Sequence, residues 1–208
     1  FTRFADPAPE ARYVAALRAA LRAQGVRVDA ARATTVEATR GPARAIWTMR
    51  SKIEWSLRRL LEDSSNFQAE QLTRVVAAAR GARATLDEGR RRFAASCAKL
   101  EGSRGLVVED ASGLSRGNRI SPRLVTAARE RALLSSRAGT PFLELFPRSG
   151  INGTIARRMR SIRGRVRAKT GWIRGASSLS GVVLTSRDRV VLFSILMNYD
   201  AKRGGLNK

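Results

Sequence analysis

The chain has 208 residues, of which 43% are hydrophobic and 27% charged, a composition that supports one hydrophobic core with a small subdomain and is unlike that of a disordered chain. It has no histidine and a single cysteine, Cys97, which excludes a Ser-His-Asp triad, a histidine-ligated metal, an internal disulfide and a cysteine zinc site. The net charge of +23 favours polyanionic partners in general, although the large excess of arginine over lysine is typical of G+C-rich coding.

Apolar residues at helical spacing predict five helices, and capping residues indicate their ends. The first covers residues 7–24, with Asp6 as its cap and Gly25 after its last turn. The second begins near Ala43 and ends at the pair Ser64–Ser65, where hydroxyls compete for backbone hydrogen bonds. The other three cover residues 67–80, 86–100 and 121–135.

Extended segments concentrate in the last quarter of the chain. Residues 106–108 predict a short buried strand before a loop at 110–120, and the glycine- and proline-containing residues 137–153 predict another loop. Three strands follow, at 166–170, 177–185 and 189–197, with a turn at 185–188 between the last two. Helices followed by a C-terminal antiparallel meander predict an α+β domain.

The tripeptide Lys169-Thr170-Gly171 ends the first of these strands. A lysine ammonium beside a threonine hydroxyl can bind a substrate carboxylate, and a glycine lets a substrate backbone approach the strand edge. The next residue, Trp172, can direct its backbone N–H towards a tetrahedral oxyanion. A surface lysine before an ordinary strand turn is the alternative interpretation of this tripeptide alone.

The segment Ser64-Ser65-Asn66 lies at a predicted helix break, where side chains can point into a cleft. A serine hydroxyl there can relay a proton, and the Asn66 amide can orient a peptide bond by donating and accepting hydrogen bonds. A simple helix cap is the alternative, since Ser and Asn are ordinary capping residues.

Longer runs around these two motifs indicate a family. The chain resembles the C-terminal part of the penicillin-binding-protein-type D-alanyl-D-alanine carboxypeptidases/endopeptidases, the type-4 group also called the S13 peptidase family. The runs that carry this resemblance, in order along the chain, are EDSSNFQAEQL, VEDASGLSRGNRISP, GINGTIARRM and RAKTG…SSLSG…FSILMN. The family uses three motifs, S-x-x-K, S-x-N and K-T-G, and this chain has the second and third in their expected order.

The resemblance implies a partial penicillin-binding-protein or serine β-lactamase-like transpeptidase domain that hydrolyses peptidoglycan stem peptides through an acyl-enzyme. It implies that Ser64, Asn66 and Lys169 are catalytic, and that the substrate contacts come from Thr170, Gly171 and Trp172. β-Lactams would be bound, and neither a metal nor an organic cofactor is implied. The location implied is periplasmic or extracytoplasmic, with no nucleic-acid partner and a possible association with an anionic cell wall or membrane surface.

Two departures from the family pattern stand out besides the nucleophile. Trp172 occupies a position where the family usually has a smaller residue, often Thr, so the indole could crowd the subsite while the backbone N–H is retained. Asn152 replaces the more usual Asp of a G-x-D-G-T run.

The expected nucleophile motif is absent from its expected place. The one S-x-x-K in this sequence, Ser96 to Lys99, follows the S-x-N motif, whereas the family places its nucleophile before it. Helical spacing puts Ser96 and Lys99 on one face, but the pair is interpreted as a chance match on an exposed helix. Ser64, Asn66 and Lys169 are predicted to converge on one cleft, with Ser96 elsewhere.

The chain starts at Phe1 without a basic and apolar leader, and has no apolar stretch of the roughly 20 residues that span a bilayer. Because the S-x-x-K that the family places ahead of the S-x-N motif is missing, residues 1–208 are expected to be the C-terminal part of a catalytic domain whose nucleophile-bearing part is absent, and to be inactive alone. Two alternatives stay open: a non-catalytic pseudoenzyme that binds cell-wall peptide, and a basic polyanion-binding module. Against the last, the arginine clusters lack the interleaved aromatic residues of single-strand nucleic-acid binders.

Overall fold

The computed structural model describes residues 9–28, 50–79, 81, 83–135, 139–187 and 189–200. The chain divides into two compact units, residues 1–49 and 50–208. In the first unit, helix α1 covers Pro9–Ala23. It ends in a Schellman motif, because Gly25 takes a φ of 76° and the amides of Gly25 and Val26 bond to the carbonyls of Arg22 and Leu21.

Three described helices of the second unit, those that follow Ser65, Thr85 and Ser121, begin at residues that the sequence marks as caps. Thr85 and Ser121 accept a hydrogen bond from the N–H three residues further along the chain, and Pro122 suits the first turn that follows Ser121. The helices are α2 (Ile53–Glu62), α3 (Asn66–Ala78), α4 (Leu86–Cys97), α5 (Pro122–Leu134) and α6 (Gly139–Glu144).

Three predicted boundaries are wrong. The second helix does not continue from Ala43 through residue 52, because residues 50–52 are not helical and Lys52 is extended; residues 41–49 lie outside the described part of the chain. The predicted loop at 137–153 contains α6. Residues 106–108 form only an isolated bridge between Val107 and Arg119, with Val107 44% exposed, instead of a buried strand. In each case, whether the helix or strand forms depends on contacts with other parts of the chain, which the spacing of apolar residues does not predict.

The C-terminal meander is confirmed, and its strands are longer than predicted. Strands β1 (Val166–Ile173), β2 (Ala176–Leu184) and β3 (Val190–Asn198) form an antiparallel sheet in the order β1-β2-β3. The β1–β2 register runs residue for residue from Val166↔Val183 to Ile173↔Ala176, without a bulge. This regularity fixes which backbone groups of β1 face away from β2.

Two apolar clusters hold this unit together. Leu61 of α2 packs with Leu145 and Phe146, and Ile155 packs with Val166 and Ala168 of β1. Helix α5 covers β2 and β3. Arg129 of α5 donates to the carbonyl of Ser180 in β2, at 3.2 Å, and burial lowers the pKa of its guanidinium to about 10. The Arg129 guanidinium also lies over the ring of Phe146, 5.6 Å from its centroid, and so links the cluster at the end of α2 to the sheet.

Candidate active site

Ser64 lies in the sharp turn between α2 and α3. Helix α2 ends at Glu62, Asp63 caps it, and Ser64 takes a φ of 55°, a left-handed conformation that costs a residue other than glycine roughly 1–2 kcal/mol. Ser65 uses its hydroxyl as the cap of α3, accepting from the N–H of Gln68 at 3.3 Å. The two neighbouring hydroxyls therefore differ in role, since only that of Ser65 is used in a helix cap.

Lys169 of β1 reaches this turn across 105 residues of sequence. Its Nζ donates to Ser64 Oγ at 2.7 Å and to the carbonyl of Thr170 at 2.6 Å. The side chain is half-buried, and desolvation lowers the pKa of the ammonium below its ordinary value of 10.5. A lysine in this setting supplies a directed positive charge and gives up its proton more readily than an exposed lysine.

Every second residue around the K-T-G segment directs its backbone groups towards the edge of β1 opposite β2. At the start of the strand, Ala168 N–H donates to the carbonyl of Pro147, and the carbonyl of Val166 accepts from Ser149 N–H, both outside the β1–β2 ladder. Backbone groups alternate between the two sides of an antiparallel strand. The N–H groups of Thr170 and Trp172 therefore face that same outer edge, where an extended peptide could align.

The two residues after Thr170 differ in bulk. A Cβ on Gly171 would lie 2.4 Å from the hydroxyl oxygen of Ser178 in β2, so its hydrogen side chain leaves room for that hydroxyl. The indole of Trp172 is 59% exposed. Thr170 Oγ1 donates to Thr154 Oγ1 at 2.8 Å, which links the K-T-G segment to the loop before it.

Asn66 is the first residue of α3 and its side chain is exposed. Its Cα lies within about 7 Å of the Cα of Ser64, the reach of two residues. The structure thus brings Ser64 and Lys169 into direct contact and places Asn66 at the same turn.

Ser96 has a different environment. It lies on the exposed side of α4, and its hydroxyl donates to the carbonyl of Arg92 in the same helix, at 2.8 Å. Lys99, beyond the end of α4, is also exposed. In the described hydrogen bonds, Ser96 Oγ is paired with a backbone carbonyl and not with the side-chain base that a nucleophile needs.

Residues 109–118 form a loop that is ordered by carboxylates. Asp110 accepts hydrogen bonds from three backbone N–H groups, those of residues 113–115, and from the Asn118 amide, at 2.7–3.0 Å. Glu70 of α3 accepts from the N–H groups of Ala111 and Ser112 at 3.1 and 3.0 Å. The loop is therefore anchored to the helix that begins at Asn66, a connection that the sequence motifs do not reveal.

Asp110→Asn is expected to destabilise the full-length natural protein at pH 7 by about 1.5–3 kcal/mol, the typical value of hydrogen bonds to a charged group. Burial alone would raise the pKa of Asp110, but the hydrogen bonds from Asn118, Ser115 and Gly113 outweigh it and hold the pKa below its ordinary value. The carboxylate therefore contributes stability above the unfolded-state pKa of roughly 4 and loses it as the pH falls through the lower folded-state pKa.

Urea unfolding of both proteins between about pH 3 and 8 measures this difference, which should shrink below about pH 4. Asp87→Asn is the matched control, because Asp87 is 72% exposed in an ion pair within α4 and should cost no more than about 0.5 kcal/mol. Equal effects of the two substitutions at pH 7 would contradict the prediction.

A cleft of about 1330 Å³ lies next to these residues. Its walls come from helices α2 to α4, from residues 106–122, from the β1–β2 hairpin and from the end of β3. Gly171 and Trp172 line it, whereas Ser64, Asn66 and Lys169 do not. The cleft thus meets the K-T-G segment at the Gly171–Trp172 end.

Within the described residues, no group of three or more His, Cys, Asp or Glu side chains is arranged to hold a metal ion. None of the described helices has the length and apolarity needed to cross a bilayer.

Similarity to known proteins is found for both the sequence and the fold. The model of the D-Ala-D-Ala carboxypeptidase 3 (S13) family matches residues 2–206. The chain is 32% identical over 154 residues to carboxypeptidase DacB of Mycolicibacterium smegmatis, covering 68% of this chain and 33% of the relative. It is 40% identical over 105 residues to a D-alanyl-D-alanine carboxypeptidase of an Actinomadura species, covering 45% and 18%. The chain therefore spans a third or less of the length of these relatives.

Among solved structures, the crystal structure of penicillin-binding protein 4 from Haemophilus influenzae, complexed with a β-lactam, matches with a TM-score of 0.73 and 23% identity. The match covers 94% of this chain and 46% of the other. This likeness confirms the predicted fold class, helices with a C-terminal antiparallel meander of the penicillin-binding-protein type.

Proposed function

Because this chain belongs to the D-Ala-D-Ala carboxypeptidase 3 (S13) family, we propose that it forms the S-x-N and K-T-G side of a serine-type D-Ala-D-Ala carboxypeptidase/endopeptidase active site that acts on peptidoglycan stem peptides. The 2.7 Å contact between Lys169 Nζ and Ser64 Oγ carries the proposal. It joins the two motifs across 105 residues, as a shared site requires and as separate surface features would not.

In this proposal the stem peptide lies along the outer edge of β1. The Lys169 ammonium and the Thr170 hydroxyl bind the terminal carboxylate of the substrate. The amide of Asn66 orients the peptide bond, and the N–H of Trp172, which faces the outer edge, stabilises the developing oxyanion. Gly171 keeps the strand accessible to the substrate.

The chemical step is acyl transfer through a serine. The serine oxygen attacks the D-Ala-D-Ala carbonyl and loses its proton to a base, and the terminal D-alanine leaves as its nitrogen gains a proton. Ser64, bonded to Lys169, passes that proton towards the leaving amine. Water then attacks the acyl-enzyme and regenerates the serine. β-Lactams, which acylate the same serine, are the corresponding inhibitors.

The attacking serine is assigned by family pattern to an S-x-x-K motif ahead of Ser64, and not to Ser96. The site of action that follows from the substrate is extracytoplasmic, in the periplasm where an outer membrane is present. The charge of +23 favours association with an anionic cell wall or membrane surface. No cofactor and no nucleic acid enter the proposed reaction.

Labelling with fluorescent penicillin tests the proposal. The full-length natural protein should gain the mass of one penicilloyl group and release D-alanine from a D-Ala-D-Ala peptide, whereas the 208-residue chain should gain no adduct. Intact-mass measurement and peptide mapping locate the label. A label on Ser96 in either protein would contradict the assignment of the nucleophile, and a full-length protein that neither labels nor releases D-alanine would contradict the proposed activity.

A further inference from the structure

The Ser64–Lys169 contact needs support from outside the turn. Ser64 is in the left-handed region, and such a conformation in a residue other than glycine persists only where the surrounding structure imposes it. The Lys169 contact is one hydrogen bond between two side chains. Further contacts are needed to hold the end of α2 in place relative to β1.

Residues 152–154 contact both elements. On one side, Asn152 Nδ2 donates to Glu62 Oε1, at the end of α2, over 3.0 Å. On the other, Thr154 Oγ1 accepts from Thr170 Oγ1 at 2.8 Å. Between them, Gly153 has a φ of 62°, and a Cβ there would lie 2.7 Å from Pro147 Cβ and 3.1 Å from the Glu62 carbonyl oxygen. These three residues thus connect the turn of Ser64 to the K-T-G strand.

The amide of Asn152 is matched to its two partners. Its Oδ1 accepts from the backbone N–H of Arg148 at 2.7 Å, and its Nδ2 donates to the carboxylate of Glu62. At neutral pH an amide side chain provides both an acceptor oxygen and a donor nitrogen, whereas a carboxylate only accepts. An aspartate at this position would keep the first bond, but its carboxylate would face that of Glu62.

We propose that Asn152 is a positioning residue for the carboxypeptidase reaction, which sets Ser64 against Lys169 by holding the end of α2 through Glu62. This inference rests on the proposed function. It assigns to the loop before β1 a role in the geometry of the site, although Asn152 touches neither Ser64 nor Lys169 in the hydrogen bonds described above.

Asn152→Asp is the direct test, made in the full-length natural protein. Two carboxylates in one site cannot both ionise without repulsion, so one of them must hold a proton for the contact to form. In the described hydrogen bonds and ion pairs, the charged residues next to this contact are Arg58, bonded to Glu62 at 3.0 Å, the Arg59–Asp63 pair, and Arg148, whose backbone N–H bonds to Asn152. Lys169 bonds to Ser64, two residues after Glu62. Arg58 would then lie next to two carboxylates, and it does not replace the lost donor, Asn152 Nδ2, which bonds to Glu62.

For Asn152→Asp we expect kcat/KM to fall at least about tenfold at pH 8 and to recover to within about threefold of wild type near pH 5, where the pair can share a proton. The loss should be mainly in kcat, because the carboxylate-binding groups of β1 remain. The wild-type profile should show no such recovery towards acid pH.

The exchanged pair, Asn152→Asp with Glu62→Gln, separates positioning from general disruption. In this double variant the amide introduced at position 62 donates to the carboxylate introduced at position 152 and still accepts from Arg58. Activity at pH 8 should therefore return to within about threefold of wild type. Glu62→Gln alone keeps the Asn152 hydrogen bond and is the matched control. Melting temperatures of all variants monitor folding.

A pH-independent loss in Asn152→Asp, or no rescue by the exchanged pair, would overturn the inference while leaving the proposed function intact, provided that the wild type releases D-alanine. A wild type that releases no D-alanine would instead refute the proposed function. In that case the pKa of Lys169 reports whether Asn152 still positions Ser64 against Lys169. That pKa is measured by NMR of labelled lysine, assigned with Lys169→Arg. It should rise towards 10.5 in Asn152→Ala, and an unchanged value would overturn the inference.

Discussion

Lys169→Ala in the full-length natural protein is expected to lower D-alanine release by about 10²–10⁴-fold, the range seen when a directed charge or proton-transfer group is removed from an active site. The substitution removes the ammonium that bonds to Ser64 Oγ and to the Thr170 carbonyl. Both the binding of the substrate carboxylate and the local positive charge are lost together.

Lys99→Ala is the matched control, since it removes the same charge from an exposed position beyond the end of α4. It should leave turnover within about twofold of wild type, as distant surface substitutions do. Lys169→Arg tests the geometry of the ammonium: arginine keeps the charge but not the compact group that bonds to Ser64 Oγ and to the Thr170 carbonyl. It should therefore retain more of the substrate affinity than of kcat.

The pH dependence of the wild type follows from the position of Lys169. Burial lowers the pKa of its ammonium, so the neutral amine forms at a lower pH than in an exposed lysine. Binding of a substrate carboxylate should therefore weaken at alkaline pH.

Near-normal turnover in Lys169→Ala would contradict the assignment of the K-T-G segment to the site.

Ser64→Gly should lose activity without losing stability. Removal of the hydroxyl deletes the proposed proton relay and should lower kcat by about 10²-fold or more, the usual contribution of a positioned acid–base group. The stability terms oppose one another, because glycine relieves the left-handed strain of about 1 kcal/mol but gives up a hydrogen bond and chain entropy of similar size. The free energy of unfolding should therefore stay within about 1 kcal/mol of wild type.

Ser65→Ala is expected to do the opposite. Its hydroxyl caps α3 by accepting from Gln68 N–H, so its loss should cost about 1 kcal/mol of stability and leave most of the turnover. Parallel measurement of D-alanine release and urea unfolding checks both variants. If Ser65→Ala were the inactive one, the two hydroxyls of the S-x-N segment would have to exchange roles.

The sequence alone determined most of the local elements and the family. Ser121 and Pro122 mark the start of α5, Gly25 marks the end of α1, and alternating segments mark the meander, because capping and strand pairing rules act over a few residues. The motif order around Ser64 and Lys169 indicated the penicillin-binding-protein type of fold, which the solved-structure match confirms. Ser64 and Lys169, which were predicted to converge together with Asn66, are in contact, whereas the roles assigned to them stay predictions.

The tertiary structure alone decided the rest of the site. Neither the Asn152–Glu62 contact nor the bonds from Glu70 to the 109–118 loop follow from sequence spacing. The first joins residues 90 positions apart, and the second joins residues 41 and 42 positions apart. The outward direction of the Trp172 N–H depends on the register of β1 against β2 and on the bridge from residues 147–149. These contacts and directions depend on which surfaces pack together in the folded core. Local sequence patterns therefore do not predict them.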